Sequence, residues 1–246
     1  MGGYVYCYNN PIIVIDPDGR KGYVIDGEGI IAPVNDEGVD ENGKNTFDVL
    51  YRKETYSEEN RKDYDGTGNK NGLKVTDTNI LKQLSQRSGF QSDNEDIYFS
   101  KTANGRDAFA VFMFVANGER EEWTLDGYSK KGVNEFILAT TRSYDHGVTT
   151  DGGKGVSKFG YQLKDQIFCL HSHGKSTVNA SGGDKNVYSR KYWDLNNDKE
   201  GGYYPAPHYL YVASHKTLLQ FNSWENKISP QIVSNGKDLQ NTIMKK

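Results

Sequence analysis

Two cysteines in 246 residues rule out the disulfide-built and thiolate-built classes of protein. Cys7 and Cys169 stand far apart in stretches that read as strands, which leaves no basis for a disulfide framework or a four-thiolate zinc knuckle. Long apolar runs are also missing. Residues 109–115 (FAVFMFV) form one of the longest, far short of the roughly 18 residues a membrane-crossing helix needs, so no membrane span is expected. Nor is there an excess of positive charge: 30 Lys and Arg against 33 Asp and Glu give a net charge of −3, and no general electrostatic pull toward nucleic acid. The opening MGGYVYCYNN has neither the basic nor the apolar region of a signal peptide, so none is expected. No repeat at solenoid or propeller spacing is present.

What is there is a chain long enough for one large domain or two small ones, with turn signals throughout. Residues 22–34 (GYVIDGEGIIAPV) and 45–53 (NTFDVLYRK) read as hairpin strands, and the polar stretch 54–75 as an exposed linker or loop. In residues 77–89 (DTNILKQLSQRSG), Ile80, Leu81 and Leu84 fall at helical spacing, with capping residues before them and Gly89 after. Strands are expected at 96–101, 108–116 and 122–127, the last two joined at Asn117-Gly118, and again at 134–144. A glycine-rich loop over 147–160 leads to a buried strand, DQIFCLHSH (165–173), then a helix over 182–195 and a hairpin turning at Ser214-His215-Lys216.

The first twenty residues differ in character. "YVYCYNNPIIVIDPDGR" is an aromatic strand, an Asn-Asn-Pro turn, a β-branched strand and an Asp-Pro-Asp-Gly turn. Over residues 4–20 it closely resembles the end of the Rhs/YD-repeat core, the junction beyond which that family carries variable toxin domains. The resemblance implies a payload delivered into a neighbouring cell as part of a larger protein and neutralised by a cognate immunity protein.

The chemistry-bearing stretch begins at CLHSH (169–173). Side chains on a strand alternate, so His171 and His173 project to one face, close enough to share one ion. Ser181 and Asp184 follow, completing H-x-H-x(7)-S-x-x-D without a gap. With Asp184 on the first turn of a following helix, two imidazoles and a carboxylate make a tripod with a fourth position for water, the arrangement of catalytic zinc. His146, His208 and His215 read as bystanders, His208 the best placed of them to touch the site. Cys169 shares the histidines' face as a packed thiol, and the three tryptophans read as core or rim aromatics.

This pattern resembles the JAB/MPN-type (JAMM) zinc metallopeptidases at all four positions. The resemblance implies His171, His173 and Asp184 as Zn2+ ligands and Ser181 as the hydrogen-bond donor to the tetrahedral oxyanion. It also implies an upstream glutamate, near the start of a strand, as general base. Glu135, opening "EFILATT", is preferred; Glu121 and Glu122, before "WTLDG", are the competitors. The family's glycine three residues after the glutamate is Leu138 here, and no preceding helix is evident, "GYSKKGV" being short and glycine-bounded.

The expected fold class is α+β: a JAB/MPN-like (cytidine-deaminase-like) mixed β-sheet with flanking helices over residues 76–246, preceded by a β-rich lead-in (21–75) and the Rhs junction (1–20). The expected function is a zinc-dependent peptidase or isopeptidase acting as the payload of an Rhs-type toxin on a protein or peptide substrate. A catalytically silent domain of the same fold and a metal-dependent nuclease toxin are the alternatives.

Overall fold

The computed structural model describes residues 22–34, 47–56, 72–92, 95–118, 121–140, 159–173, 206–221 and 228–245. The Rhs-like junction, the helix expected over 182–195, and Ser181 and Asp184 all lie outside the described residues.

The architecture is α+β, with two mixed sheets and three helices among the described residues. The chain begins with β1 (Gly22–Ile25) and β2 (Ile31–Val34), continues through β3 (Asp48–Arg52) and β4 (Gly72–Val75), and reaches α1 (Thr78–Leu84). The β1–β2 turn closes because the Asp26 carboxylate accepts from the backbone N–H of Glu28 and Ile30, at 3.1 and 2.9 Å, while Gly29 takes φ +70°. The four strands order as β2-β1-β3-β4, with β1 and β3 parallel. β4 falls at the end of the stretch read from sequence as a loop. Its Val75 is completely buried and its Leu73 partly so, and two apolar residues are too short a signal to stand out among polar neighbours.

After α1 come the short β5 (Gln91–Ser92) and β6 (Glu95–Asp96), β7 (Tyr98–Thr102) and α2 (Gly105–Ala116). Residues 108–116 are thus helical, not the strand expected from sequence. A continuous apolar run fits a buried strand and a buried helix equally well. The capping residues decide it: the Asn104 side chain accepts from the Asp107 N–H at 3.1 Å, and Asn117 is a helix C-cap, not a hairpin turn. The helix is apolar nearly all round because it packs against β4 of the small sheet, β8 (Thr124–Lys130) and β9 (Val133–Thr140) of a larger one, and a C-terminal helix. Asp107 also accepts from Thr76 Oγ1 and the Asp77 N–H, at 2.6 and 2.7 Å, which ties the start of α1 to the start of α2.

The remaining elements are β8 (Thr124–Lys130), β9 (Val133–Thr140), β10 (Gln166–His173), β11 (His208–Val212), β12 (Thr217–Phe221), β13 (Ile228–Ile232) and α3 (Gly236–Met244). Lys131 and Gly132, both at positive φ (54° and 80°), make the two-residue β8–β9 turn that suits the strand twist. The large sheet orders as β13-β12-β11-β10-β8-β9-β7, antiparallel except between β10 and β11.

Alternation gives this sheet two different faces. Leu125, Phe136, Leu138, Phe168, Leu170, Tyr209 and Tyr211 join the helices and the small sheet's Tyr23, Ile25, Leu50 and Val75 in one hydrophobic cluster. The β-rich lead-in therefore shares its core with the large sheet. Arg52 reinforces the link, donating to the Phe114 carbonyl and lying 4.5 Å from the centroid of the Phe114 ring. The opposite face of the large sheet carries the polar residues considered next.

Candidate metal and catalytic site

β10 is buried along most of its length and ends in the two histidines. Its backbone is held on both sides, by β8 and by β11, so the period-2 pattern becomes a fixed geometry. His171 and His173 face the same way with ring centroids 5.2 Å apart, and they are 8% and 4% exposed.

Glu122 lies beside them. Its Oε1 is 3.7 Å from His173 Nε2, and its side chain keeps some contact with solvent. The placement follows from the ladder running on past β8. Thr124 registers with His171, the Ser172 N–H donates to the Trp123 carbonyl at 2.9 Å, and the Trp123 N–H donates to Ser172 Oγ at 3.1 Å. Thr140 Oγ1 donates to the Glu122 carbonyl at 2.9 Å, pinning that backbone to the end of β9. Glu121 is buried and its carboxylate lies against the β1–β2 turn at Gly29.

Glu135 is not brought to the histidines. It registers with Tyr128, whereas His171 registers with Thr124 and, through it, Ala139, so Glu135 sits at the other end of the same face. There it accepts from the Tyr161 hydroxyl and pairs with Lys101 Nζ at 3.3 Å. The Tyr161 hydrogen bond, helped by Lys101 and against some desolvation, holds the Glu135 carboxyl below its ordinary range. Burial, then Glu135, pushes the Tyr161 hydroxyl up. Tyr161 stacks on Tyr128 at 4.3 Å, with Lys101 over its ring at 4.7 Å. A carboxylate made less basic and tied in this way is poorly suited to act as a general base near neutral pH.

His208 does join the cluster. It opens β11, is 4% exposed, and places Nε2 at 3.1 Å from His171 Nδ1, with the two ring planes 75° apart. Cys169 packs below, with Sγ 3.9 Å from the same Nε2. From sequence His208 reads as a bystander, because its value depends on β10 and β11 pairing in parallel, a long-range contact that "HYLYV" does not announce. His215 is an exposed turn residue, and Trp123 is a core residue at 1% exposure.

Among the described residues, no group of three or more His, Cys, Asp and Glu is arranged to hold a metal ion. The described part of the site supplies two adjacent buried imidazoles, an imidazole behind one of them and a carboxylate in front of the other. A search of known families matches residues 100–200 to the model described as JAB-like toxin 1. Over those residues the chain is similar to JAB-like toxin domains. No curated protein and no solved structure matches the chain. The JAB-like toxin match runs from within β7 past the end of β10, so it takes in Glu122, Glu135, His171, His173, Ser181 and Asp184. His208, which touches His171, lies beyond the matched residues of the JAB-like toxin domain.

Proposed function

We propose that the JAB-like toxin domain is a zinc-dependent peptidase or isopeptidase, delivered into a target cell as the payload of an Rhs-type polymorphic toxin and held in check by a cognate immunity protein. The observation that carries the reading is the pairing of His171 and His173 on one buried strand face with Glu122 at His173.

His171, His173 and Asp184 would hold the ion. Two neutral imidazoles and one carboxylate are a donor set that zinc accepts, and together they contribute a single negative charge, so the site keeps a net positive field. When bound, zinc supplies a Lewis acid that lowers the pKa of a water to near neutrality and polarises a carbonyl. Glu122 takes the water proton on its carboxylate and returns it to the departing amine, so that one amide bond breaks and one water is consumed. It replaces Glu135 in this role on three grounds: its position at His173, the tied and less basic state of Glu135, and the helix, α2, that precedes it as the family resemblance requires. Ser181 donates a hydrogen bond to the oxyanion. Burial of the histidines excludes water and strengthens each of these interactions.

Metal analysis of the purified chain tests the proposal, with about one zinc per chain expected for a mononuclear site. His171→Ala and Asp184→Ala should lose both zinc and toxicity. Zinc retained at the wild-type level by the His171→Ala/His173→Ala double variant would overturn the proposal.

A further inference from the structure

The contact between His208 and His171 carries a consequence for which nitrogen of His171 meets the ion. An imidazole that ligates a metal through one nitrogen carries its proton on the other, and that N–H needs an acceptor that fixes the ring and its tautomer. His171 Nδ1 faces His208 Nε2 at 3.1 Å, a normal hydrogen-bond length between two ring nitrogens. One of the two must donate. The rings stand 75° apart with centroids at 5.1 Å, a T-shaped arrangement.

We propose that His208 is a positioning residue: its Nε2 accepts the His171 Nδ1–H, which commits His171 to binding the metal through Nε2. The inference rests on the zinc reading above and adds a residue that lies outside the family match.

Three observations support this polarity. First, the Cys169 thiol also lies near His208 Nε2, at 3.9 Å; a thiol is a weak donor, so it does not displace a stronger N–H donor from the one lone pair of that nitrogen. Second, His208 is held in place by main chain: it registers with Cys169 in the parallel pairing, and the Cys169 N–H donates to the Pro207 carbonyl at 3.0 Å. Third, both rings are buried, His171 at 8% and His208 at 4% exposure. Solvent therefore competes weakly for the bond, and the orientation of one ring constrains the other.

Two variants separate the acceptor from the ring. His208→Phe fills the space without an acceptor, and His208→Gln supplies a side-chain carbonyl oxygen without an imidazole. Zinc affinity of the full chain is measured by competition with a chromophoric chelator, with folding followed by circular dichroism. His208→Phe is expected to weaken zinc binding about 10–100-fold, the usual cost of losing such a partner, and His208→Gln to recover most of it. A 15N spectrum of the unsubstituted protein should show the His171 proton on Nδ1 both before and after zinc is added.

Wild-type zinc affinity in a folded His208→Phe variant, or the His171 proton found on Nε2 in the zinc-loaded protein, overturns the inference while leaving the hydrolase reading standing. A wild-type chain that binds no zinc overturns both. If neither variant folds, the nitrogen spectrum of the zinc-loaded wild type decides.

Discussion

Replacing Glu122 with glutamine, and separately replacing Glu135, sets the two glutamates against each other. Glutamine keeps the shape of the side chain and leaves the Thr140 hydrogen bond intact, since that bond goes to the Glu122 backbone carbonyl. What is lost is the proton acceptor beside His173. A positioned general base contributes about 10²–10⁴-fold, which corresponds to roughly 2.7–5.4 kcal/mol of barrier. Glu135 stands four residue steps along β8 and β9 from the register of His171. At about 3.3–3.4 Å per residue this is roughly 13 Å. Proton transfer needs direct hydrogen-bond contact or a single intervening water. Glu135→Gln therefore costs only its ion pair with Lys101 and part of its bond to Tyr161, partly exposed interactions worth about 0.2–1 kcal/mol of stability. The assay is growth arrest of bacteria on induced expression, with zinc content and thermal melting measured on the same proteins. Glu122→Gln should abolish or strongly delay the arrest with zinc retained, and Glu135→Gln should arrest growth as the wild type does. The reasoning fails if Glu122→Gln keeps full toxicity, or if Glu135→Gln loses it while folded and zinc-loaded.

Ser181→Ala should lower turnover about 10²–10³-fold, the loss seen when one oxyanion donor is removed, without changing zinc content; unchanged turnover would remove the serine from the mechanism. Phe112 on α2 is completely buried, so Phe112→Ala should cost about 3–5 kcal/mol in a denaturant melt. A cost below about 1 kcal/mol would mean that α2 is not sealed between the two sheets. The Glu135 carboxyl, lowered from 4.5 in the folded state, contributes stability that is fully present above that ordinary value and is lost as pH falls through the depressed one. The stability gap between wild type and Glu135→Gln should accordingly be steady near neutrality and shrink in acid. A gap that widens on acidification would refute the assignment of that shift.

Much of the site's chemistry is local and can be read directly from the sequence. H-x-H on an apolar run ending in a polar loop is a strand with two imidazoles on one face, because a strand's period is 2 wherever the strand sits; β10 and its facing histidines follow from that alone. The α1 helix and the β11–β12 hairpin through Lys216 were equally legible, since capping residues, spacing and turn residues are properties of a few neighbours. The H-x-H-x(7)-S-x-x-D pattern and the JAB-like resemblance also come from the chain as written. Distance along the sequence, by contrast, does not rank the glutamates, and Glu135 looked the better base because it opens an apolar strand.

Only the tertiary structure shows which of them lies beside a histidine. Strand register sets which end of a sheet face a residue occupies: it carries Glu135 off to Tyr161 and Lys101 and brings Glu122 to His173. The same holds for His208, which reaches His171, 37 residues earlier in the chain, because β10 and β11 pair in parallel. The state of residues 108–116 was also a tertiary matter: a run apolar on every side is helix or strand according to what surrounds it, and here two sheets and a helix do. The sequence determines which groups can do the chemistry, since that is a property of residue type and local period. Their pairing into a working set depends on contacts between strands far apart in the chain, and no local pattern encodes those.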